Sequence, residues 1–382
     1  MNKCNIYKRC GGCTLLHKPY EDGINEKKVM IQQLFQKEKL SGAPQTIIGM
    51  EHPYRYRNKM LITFSRVGKN TIGGFYEENT HRVIDLDECI IHSDLLNRIA
   101  TFLPKLIDRL RLLAYNEDRQ TGLIRHVMMK EGFTSHELMV VIVTSSEVFP
   151  ARSAFVKELR QEFPMITTII QNINSRKTSI ILGDKERILY GPGWIRDTLC
   201  SLQFKITSKS FFQVNPKQTQ VLYELIWKMV SGNGQDIVLD AYSGVGTIGL
   251  TLSRFVKQVI CVENNPQAVR AGISNAKDNK ISNVEFYCED ATVFVQDLSK
   301  HHEHIDCLVM DPPRSGSTPL FLESIIKLKP KKIIYISCEP ETLVRDLKVL
   351  VHDYQIADSV AVDMFCWTKH VETVVLLNRI KE

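Results

Sequence analysis

The spacing of apolar and polar positions along the chain changes once, near residue 205. Before that point, short apolar runs predict strands and a few longer stretches with helical spacing predict helices. The predicted strands are Lys59–Ser65, His136–Thr144, Thr167–Asn174 and Thr178–Leu182, and the predicted helices are residues 20–40, 93–113 and 151–162. This mixture is typical of an α+β domain with an antiparallel sheet.

From about residue 216 onward, buried strands alternate with helices. The predicted strands are Asp236–Asp240, Gln258–Glu263, Val284–Cys288, Ile305–Met310 and Lys332–Ser337. Such an alternation predicts a doubly wound parallel sheet, the Rossmann-like form of an α/β fold. We therefore predict two domains, residues 1–205 and residues 206–382.

Composition and charge narrow the class of protein. The 382 residues are 43% hydrophobic and 24% charged, as in an ordinary globular protein. The sequence has no apolar run of about 18 residues that could span a bilayer and no apolar signal segment at the N-terminus. We expect a cytoplasmic protein with no membrane contact, and a monomer by default.

The net charge of +6 is distributed unevenly. Residues 1–205 hold 30 Lys and Arg against 22 Asp and Glu, whereas residues 206–382 hold 19 against 21. This asymmetry favours contact between the first domain and a polyanion such as RNA. A mildly basic solvated surface is the alternative interpretation.

A glycine-rich turn follows the first strand of the second domain. Gly244, Gly246 and Gly249 form a G-x-G-x-x-G pattern just after Asp240, where a tight turn lets backbone amides approach a ligand. Glu263 ends the next strand, where a carboxylate can accept hydrogen bonds from two ribose hydroxyls. Taken alone, these features fit a dinucleotide nearly as well as S-adenosylmethionine.

Two further acidic positions favour S-adenosylmethionine. Asp290 follows the third strand, where methyltransferases place a polar contact to the adenine amino group. Asp311-Pro312-Pro313-Arg314 follows the fourth strand, at the carboxyl edge where ligands bind in doubly wound folds. The two prolines fix the backbone, so the carboxylate and the guanidinium are presented rigidly.

A cysteine and a glutamate at the same edge are candidates for catalysis. Cys338 follows the fifth strand and precedes a helix start, and a helix N-terminus favours the thiolate form. Glu372 lies just before a final apolar strand, Val374–Leu377. Most single cysteines are small buried hydrophobes, which we expect of Cys200, Cys261, Cys288, Cys307 and Cys366.

The motifs resemble those of the RNA (uracil-5-)-methyltransferase family, which is S-adenosylmethionine-dependent and of class I. In the family's order the chain carries Phe211-Phe212-Gln213-Val214-Asn215, the glycine turn, Asp311-Pro312-Pro313-Arg314, Ser337-Cys338-Glu339-Pro340 and His370-Val371-Glu372. It departs from the family at Glu339, where an asparagine is usual. The resemblance implies a C-terminal Rossmann-like methyltransferase domain preceded by an α+β RNA-binding domain.

The resemblance also implies roles for individual residues. Cys338 would add to C6 of a uridine as a nucleophile, and Glu372 would remove the C5 proton as a general base. The positions that match the family's S-adenosylmethionine contacts are Gln213, Tyr242, Gly244, Gly246, Glu263, Asp290 and Asp311. Arg314 would steady the target uridine.

Basic and aromatic residues alternate in Tyr54-Arg55-Tyr56-Arg57-Asn58-Lys59. Such a segment suits base stacking together with phosphate contacts, and Arg57 and Lys59 are the candidate RNA ligands. A solvated strand is the alternative. From the resemblance we expect no counterpart of the small RNA-binding β-barrel that begins many relatives, and we expect RNA contacts to come from residues 1–205.

Cys4, Cys10, Cys13 and the distant Cys89 are a separate group. Four thiolates suit an iron–sulfur cluster or a structural zinc ion, and their spacing does not distinguish the two. The group matches the pattern of ribosomal-RNA members of the family, which hold a [4Fe–4S] cluster. The resemblance therefore implies an N-terminal iron–sulfur segment and 23S ribosomal RNA as the substrate.

Transfer RNA is the alternative substrate. An amino-methyltransferase is a further alternative, but such enzymes need an aromatic residue where Arg314 stands. A non-catalytic iron–sulfur RNA-binding factor would have no use for Cys338 and Glu372 beside an intact cofactor turn.

Overall fold

The computed structural model describes residues 4–230 and 234–380, which fall into two compact units. The first unit comprises the described residues up to Leu16, with His52–Thr198 and Phe204–Pro216. The second comprises His17–Glu51, Leu199–Gln203 and the described residues from Lys217 onward. The chain thus passes between the units around residue 205, but residues 17–51, which the prediction placed in the first domain, belong to the second unit.

The helices and strands are numbered separately in chain order. The helices are α1 (Tyr7–Cys10), α2 (Tyr20–Lys37), α3 (Asp94–Arg109), α4 (Arg152–Glu162), α5 (Pro216–Val230), α6 (Thr247–Leu252), α7 (Pro266–Asp278), α8 (Ala291–Lys300), α9 (Pro319–Leu328) and α10 (Pro340–Leu350). The strands are β1 (Ile47–Ile48), β2 (Lys59–Val67), β3 (Asn70–Tyr76), β4 (Val83–Asp85), β5 (Ile124–Glu131), β6 (Leu138–Thr144), β7 (Ile166–Ile173), β8 (Lys185–Tyr190), β9 (Trp194–Leu199), β10 (Leu202–Thr207), β11 (Ile237–Ala241), β12 (Gln258–Glu263), β13 (Val284–Cys288), β14 (Cys307–Met310), β15 (Lys332–Ser337), β16 (Tyr354–Val362) and β17 (Glu372–Arg379).

The first unit is built on a seven-stranded sheet in the order β4-β3-β2-β5-β6-β7-β8. Its neighbouring strands are antiparallel except for β6 and β7, which are parallel. The predicted strand Thr178–Leu182 is wrong, because these residues form a loop and the edge strand β8 begins at Lys185. The Asn174 side chain donates to the carbonyls of Ile180 and Ile181, which occupies backbone acceptors that a strand would need.

The second unit contains an eight-stranded sheet in the order β1-β16-β17-β15-β14-β11-β12-β13. Strands β15, β14, β11, β12 and β13 are neighbours in that order and run parallel to one another. Strand β17 lies between β15 and β16 and is antiparallel to both. The predicted doubly wound α/β fold is confirmed. Because the strand order reverses between β11 and β14, a ligand crevice is expected outside the carboxyl ends of these two strands.

Residues 17–51 belong to the second unit because α2 buries its apolar face there. Ile31 and Phe35 of α2 join the same buried cluster as Leu308 and Tyr335 of the sheet. Strand β1 extends the sheet by pairing in parallel with β16. In the described part of the chain, no helix is both long enough and apolar enough to cross a membrane.

Candidate active site

The glycine turn lies at the carboxyl end of β11, at the point where the strand order reverses. Gly244 and Gly246 both have positive φ, of 56° and 76°, which L-residues with side chains adopt at a cost. A Cβ on Gly249 would lie 2.5 Å from Sγ of Cys261 and 3.0 Å from Oδ2 of Asp240. The glycines therefore allow the turn itself and the close packing of α6 on the sheet.

Glu263 and Asp290 occupy the ends of the next two strands. Glu263 accepts a hydrogen bond from the Gly244 amide at 3.0 Å and another from the Asn265 amide at 2.8 Å, so it supports the turn that it would share with a ligand. Asp290 caps α8 through Oδ1, which accepts from the Thr292 amide at 2.8 Å. A contact between Asp290 and the adenine amino group would thus be made by its other carboxylate oxygen, Oδ2.

Tyr242 follows β11 with a positive φ of 62° and packs edge-on against Phe321, with ring centroids 5.2 Å apart. Burial raises the pKa of its hydroxyl to about 12. Below it, Asp240 is buried, and its Oδ2 accepts from the Gly249 amide while its Oδ1 has no hydrogen-bond partner among the described residues. Burial raises the pKa of Asp240 to about 7.

The sheet register brings Cys338 and Glu372 together. Ser337, the last residue of β15, pairs with Thr373 of the antiparallel strand β17. Cys338 follows Ser337 in the bend just beyond β15, and Glu372 precedes Thr373 at the start of β17, so the two residues lie near each other and the Glu372 charge acts on the Cys338 thiol. Glu372 is buried, with 3% of its surface exposed, and Cys338 is partly exposed.

Burial and neighbouring charges set the protonation of this pair. Burial and the Asp311 carboxylate raise the pKa of Glu372 to about 8, although the Arg314 charge acts to lower it. Burial also raises the pKa of Asp311 to about 7. Burial and the charges of Glu372 and Asp311 raise the pKa of the Cys338 thiol to about 11. Arg314 opposes this by its charge and by a hydrogen bond to the sulfur.

A network from α10 holds the segment that carries Asp311 and Arg314. The buried Asp346 accepts from the Ser317 amide at 2.8 Å and from the Tyr335 hydroxyl at 2.6 Å. The Arg345 guanidinium donates to the carbonyls of Ser315 and Ser317. Sequence analysis missed Asp346, although a carboxylate on the apolar face of α10 was a usable signal.

A second network holds the segment that precedes Glu372. Asp363 is fully buried and accepts from the Lys27 ammonium at 2.5 Å and the Tyr20 hydroxyl at 2.6 Å. Tyr20 also packs against Trp367, with ring centroids 5.1 Å apart. Helix α2 thereby fixes the loop between β16 and β17, a role that sequence analysis also missed.

Three of the predicted site residues lie in the first unit. The backbone carbonyl of Gln213 accepts a hydrogen bond from the side-chain amide of Asn58 at 3.2 Å. Lys59 lines a small cavity of about 50 Å³ with Lys130 and Phe211. Arg57 is bound through its backbone amide to the carbonyl of Ile91, and its Nε is buried without a hydrogen-bond partner among the described residues.

The four N-terminal and central cysteines also lie in the first unit. Burial and the charges of Cys89, Cys10 and Cys4 raise the pKa of Cys13 to about 12, so the four thiols act on one another. Backbone amides of Ile91 and His92 donate to Cys89, and that of Gly12 to Cys10. Within residues 4–230 and 234–380, no group of three or more His, Cys, Asp or Glu side chains is arranged to hold a metal ion.

Arg57 faces this cysteine group. Its charge lowers the pKa of Cys13 and that of His92, whose Nδ1 lies 3.0 Å from Sγ of Cys89. Arg57 therefore has Cys13 and His92 as neighbours within the protein, which the prediction of an RNA contact did not include. Within the basic and aromatic segment 54–59, Tyr54 is exposed, with 39% of its surface accessible.

The family model for tRNA (uracil-5-)-methyltransferase matches residues 19–380. The chain belongs to this family. The match begins after Cys4, Cys10 and Cys13. The chain is thus an S-adenosylmethionine-dependent RNA (uracil-5-)-methyltransferase, and the predicted enzyme class is confirmed.

Similar proteins support the family assignment. An uncharacterized RNA methyltransferase of Clostridium acetobutylicum is 39% identical over 382 residues, 99% of this chain and 83% of that protein. Another of Bacillus cereus is 37% identical over 383 residues, 100% of this chain and 83% of that protein. The crystal structure of Pyrococcus abyssi tRNA (uracil-54, C5)-methyltransferase with S-adenosyl-L-homocysteine is 28% identical with a TM-score of 0.80, over 96% of this chain and 85% of that one.

Proposed function

We propose that this family member methylates C5 of a uridine in 23S ribosomal RNA through a covalent adduct at Cys338. The observation that supports the mechanism is the pairing of Ser337 with Thr373, together with the effect of the buried Glu372 charge on the neighbouring Cys338 thiol. A nucleophile and a general base at adjacent positions are what covalent catalysis at an unreactive carbon requires.

The reaction follows from what these two side chains can do. Cys338 Sγ, as the thiolate, forms a bond to C6, and the electron pair of the C5–C6 bond moves into an enolate that makes C5 nucleophilic. When bound, S-adenosylmethionine supplies the electrophilic methyl group. Once C5 is methylated, Glu372 takes the C5 proton, the double bond re-forms, and the thiolate leaves C6.

Arg314 and Asp311 act on this pair. Arg314 donates to the Cys338 sulfur and lowers its pKa, so it favours the thiolate that must attack. Asp311 has the opposite effect when it is ionised. Protonation of the Asp311 carboxylate, or its engagement by a bound ligand, would therefore favour attack of the Cys338 thiolate on C6.

The residues around the glycine turn fit S-adenosylmethionine. We assign Tyr242, Gly244, Gly246, Glu263, Asp290 and Asp311 to its binding at the carboxyl ends of β11 to β14. The positive-φ glycines leave room for the ligand beside the backbone, and Glu263 lies where the ribose hydroxyls of such ligands bind. Gln213 is assigned from the family resemblance.

Cys4, Cys10, Cys13 and Cys89 are proposed to hold a [4Fe–4S] cluster. Their mutual charge interactions and the amides that donate to Cys89 and Cys10 suit bound thiolates. The spacing of the four cysteines does not distinguish an iron–sulfur cluster from zinc, and the resemblance to the ribosomal-RNA members of the family is what favours iron–sulfur. The thiols need a reducing compartment, which supports a cytoplasmic location, and a monomer remains our expectation.

The cluster is tested by anaerobic reconstitution with iron and sulfide. We expect about four irons and four sulfides per chain, with a visible absorbance band, and loss of both in Cys89→Ser. Cys200→Ser is the matched control and should keep them. Stoichiometric zinc without sulfide in the purified protein would contradict the proposal.

The mechanism is tested with RNA that contains 5-fluorouridine, because fluorine at C5 cannot leave as a proton. We expect a denaturation-resistant protein–RNA adduct that forms with wild-type protein and not with Cys338→Ala. Cys288→Ala, which changes an exposed cysteine, is the control. Full methyl transfer by Cys338→Ala would rule out the covalent mechanism.

The choice of RNA is tested by mapping 5-methyluridine in a deletion strain. We expect the modification to disappear from 23S ribosomal RNA and to remain in transfer RNA. The similarity to a tRNA (uracil-54, C5)-methyltransferase favours transfer RNA as the second candidate. Loss from transfer RNA alone would select it.

A further inference from the structure

Helix α4 and the edge strand β8 line an open pocket of about 740 Å³ in the first unit, here called the α4–β8 pocket. Four of its lining residues are cationic, namely Arg152, Lys157, Arg160 and Arg187. Among the residues described as lining it, none is Asp or Glu. The pocket shares no residue with the site proposed for methyl transfer.

The cations of this pocket differ from others in the first unit. Arg109 pairs with Glu158 and Lys185 pairs with Glu147, whereas none of the four pocket cations forms an ion pair within residues 4–230 and 234–380. Arg152 and Arg160 are eight residues apart on one face of α4, so their charges converge on the same space. The charge of Arg187 also acts on Glu147, but no acid lines the pocket itself, and several charges of one sign in a concave site attract a ligand of the opposite sign.

The start of α4 adds to this positive character. Its N-cap, Ala151, has a φ of 53° and no side chain that accepts from the first amides. The first turn contains no acid and begins with Arg152. Free amides and the positive end of the helix dipole therefore lie beside Arg152 and Ser153, which both line the pocket.

The Arg160 guanidinium packs over the aromatic ring of Tyr190. Its guanidinium lies 3.6 Å from the ring centroid of Tyr190, and its Nε is buried with no hydrogen-bond partner among the described residues. A guanidinium plane fixed in this way can stack with an unpaired base. Ile188, with 55% of its surface exposed, adds an apolar surface to the same wall.

We propose that the α4–β8 pocket binds the sugar-phosphate backbone of a single-stranded part of the RNA substrate. The inference deepens the proposed function and rests on RNA being the substrate. Arg152, Lys157 and Arg187 contact phosphates, and the Arg160–Tyr190 stack accepts a base. These contacts are independent of sequence and orient the RNA rather than select the uridine.

The test compares two variants that lose the same number of charges. The pocket variant is Arg152→Gln/Lys157→Gln/Arg187→Gln, and the control variant is Lys69→Gln/Lys105→Gln/Arg111→Gln, at exposed positions of the same unit. Arg160 is left unchanged because it packs on Tyr190. Binding of a fluorescein-labelled oligouridine is followed by fluorescence anisotropy over a range of salt concentrations.

We expect the pocket variant to bind at least about tenfold more weakly near 0.1 M salt. The slope of log K against log salt should become less steep by about 2, because each lost single-strand phosphate contact contributes about 0.7. The control variant should lie close to wild type. Equal affinities and slopes for the two variants would overturn the proposal.

Two further measurements distinguish the loss of RNA contacts from misfolding and from the loss of a small-anion site. Trp194 fluorescence and a far-ultraviolet circular dichroism spectrum like those of wild type show that the first unit is folded in both variants. If calorimetry shows that the pocket variant loses affinity for inorganic phosphate or ADP but keeps its affinity for RNA, the pocket is a small-anion site and the proposal is wrong. Because oligouridine binding needs no chemistry, failure of the wild type to form a 5-fluorouridine adduct would count against the proposed reaction and not against the pocket.

Discussion

The protonation of Cys338 depends on two opposed influences from named side chains. Burial and the carboxylates of Glu372 and Asp311 raise its pKa, whereas the Arg314 guanidinium lowers it. The helix that begins at Pro340 was expected to favour the thiolate, whereas the net result of burial and these charges is a thiol pKa raised to about 11. The free enzyme thus keeps its nucleophile protonated at neutral pH.

This balance predicts shifts of opposite sign in two variants. Glu372→Gln removes a charge that raises the Cys338 pKa, so the thiol should titrate at lower pH than in wild type. Arg314→Gln removes the opposing charge and a hydrogen bond, so the thiol should titrate at higher pH. The pH dependence of alkylation by iodoacetamide, followed on the Cys338 peptide by mass spectrometry, measures both.

The matched control for this titration is Lys348→Gln. Its ammonium lies on α10 and pairs with the Glu38 carboxylate at 2.7 Å, and it is not among the groups whose charge or hydrogen bonds shift the Cys338 pKa. Its thiol titration should stay close to that of wild type. An unchanged titration in both Glu372→Gln and Arg314→Gln would show that burial alone sets the thiol pKa.

Among the elements, α10 fixes the active-site segment as well as covering the sheet. Asp346 ties it to the Ser317 amide and the Tyr335 hydroxyl. Asp346→Ala would leave both donors buried without an acceptor, so we expect the free energy of unfolding to fall by about 2–4 kcal/mol. Urea denaturation measures this loss.

Asp353→Ala, which removes an exposed acid just beyond α10, is the control and should change the free energy of unfolding by less than about 0.5 kcal/mol. Tyr335→Phe removes one donor of the network and should cost less than Asp346→Ala. If Asp346→Ala were as stable as Asp353→Ala, Asp346 would not be what fixes the segment.

Elements with a strong local pattern could be predicted from sequence, and their distant partners could not. The parallel strands of the second unit were placed to within two residues, because each is a short apolar run followed by a turn. Helix α2 was also predicted, but its packing was not. Lys27, in a stretch of charged residues, is buried against Asp363, a partner 336 positions away that no local pattern indicates.

The candidate site shows the same limit. The convergence of Asp311, Cys338 and Glu372 could be predicted because each flanks a strand at one edge of the sheet. The direction of the Cys338 pKa could not, since it depends on burial and on which charges lie nearest. The neighbours of Arg57 were also hidden, because Cys13 and Cys89 reach it through tertiary contacts.

At the scale of the whole molecule, the two units carry buried ionisable groups of opposite kind. In the second unit, burial raises the pKa of Asp240 and Asp311 to about 7 and that of Glu372 to about 8. In the first unit, burial lowers the pKa of Lys130 to about 7 and that of His126 to about 4. Each unit therefore favours the neutral form of its own groups.

The consequences for stability have opposite signs. A carboxyl group with a raised pKa stabilises the folded state fully below about pH 4, and this contribution is lost as the pH rises through 7 to 8. A lysine with a lowered pKa destabilises the folded state less as the pH rises from about 7 towards 10. From pH 6 to pH 8.5 the second unit should therefore lose stability and the first unit should gain it.

The three tryptophans allow the two units to be followed separately. Trp194 belongs to the first unit, and Trp227 and Trp367 belong to the second. Urea unfolding of Trp194→Phe reports the second unit, and unfolding of Trp227→Phe/Trp367→Phe reports the first. Glu372→Gln in the Trp194→Phe background should lose less stability between pH 6 and pH 8.5, because one of the three carboxyl groups no longer ionises. If both units changed in the same direction with pH, the buried groups would not control the stability of either unit.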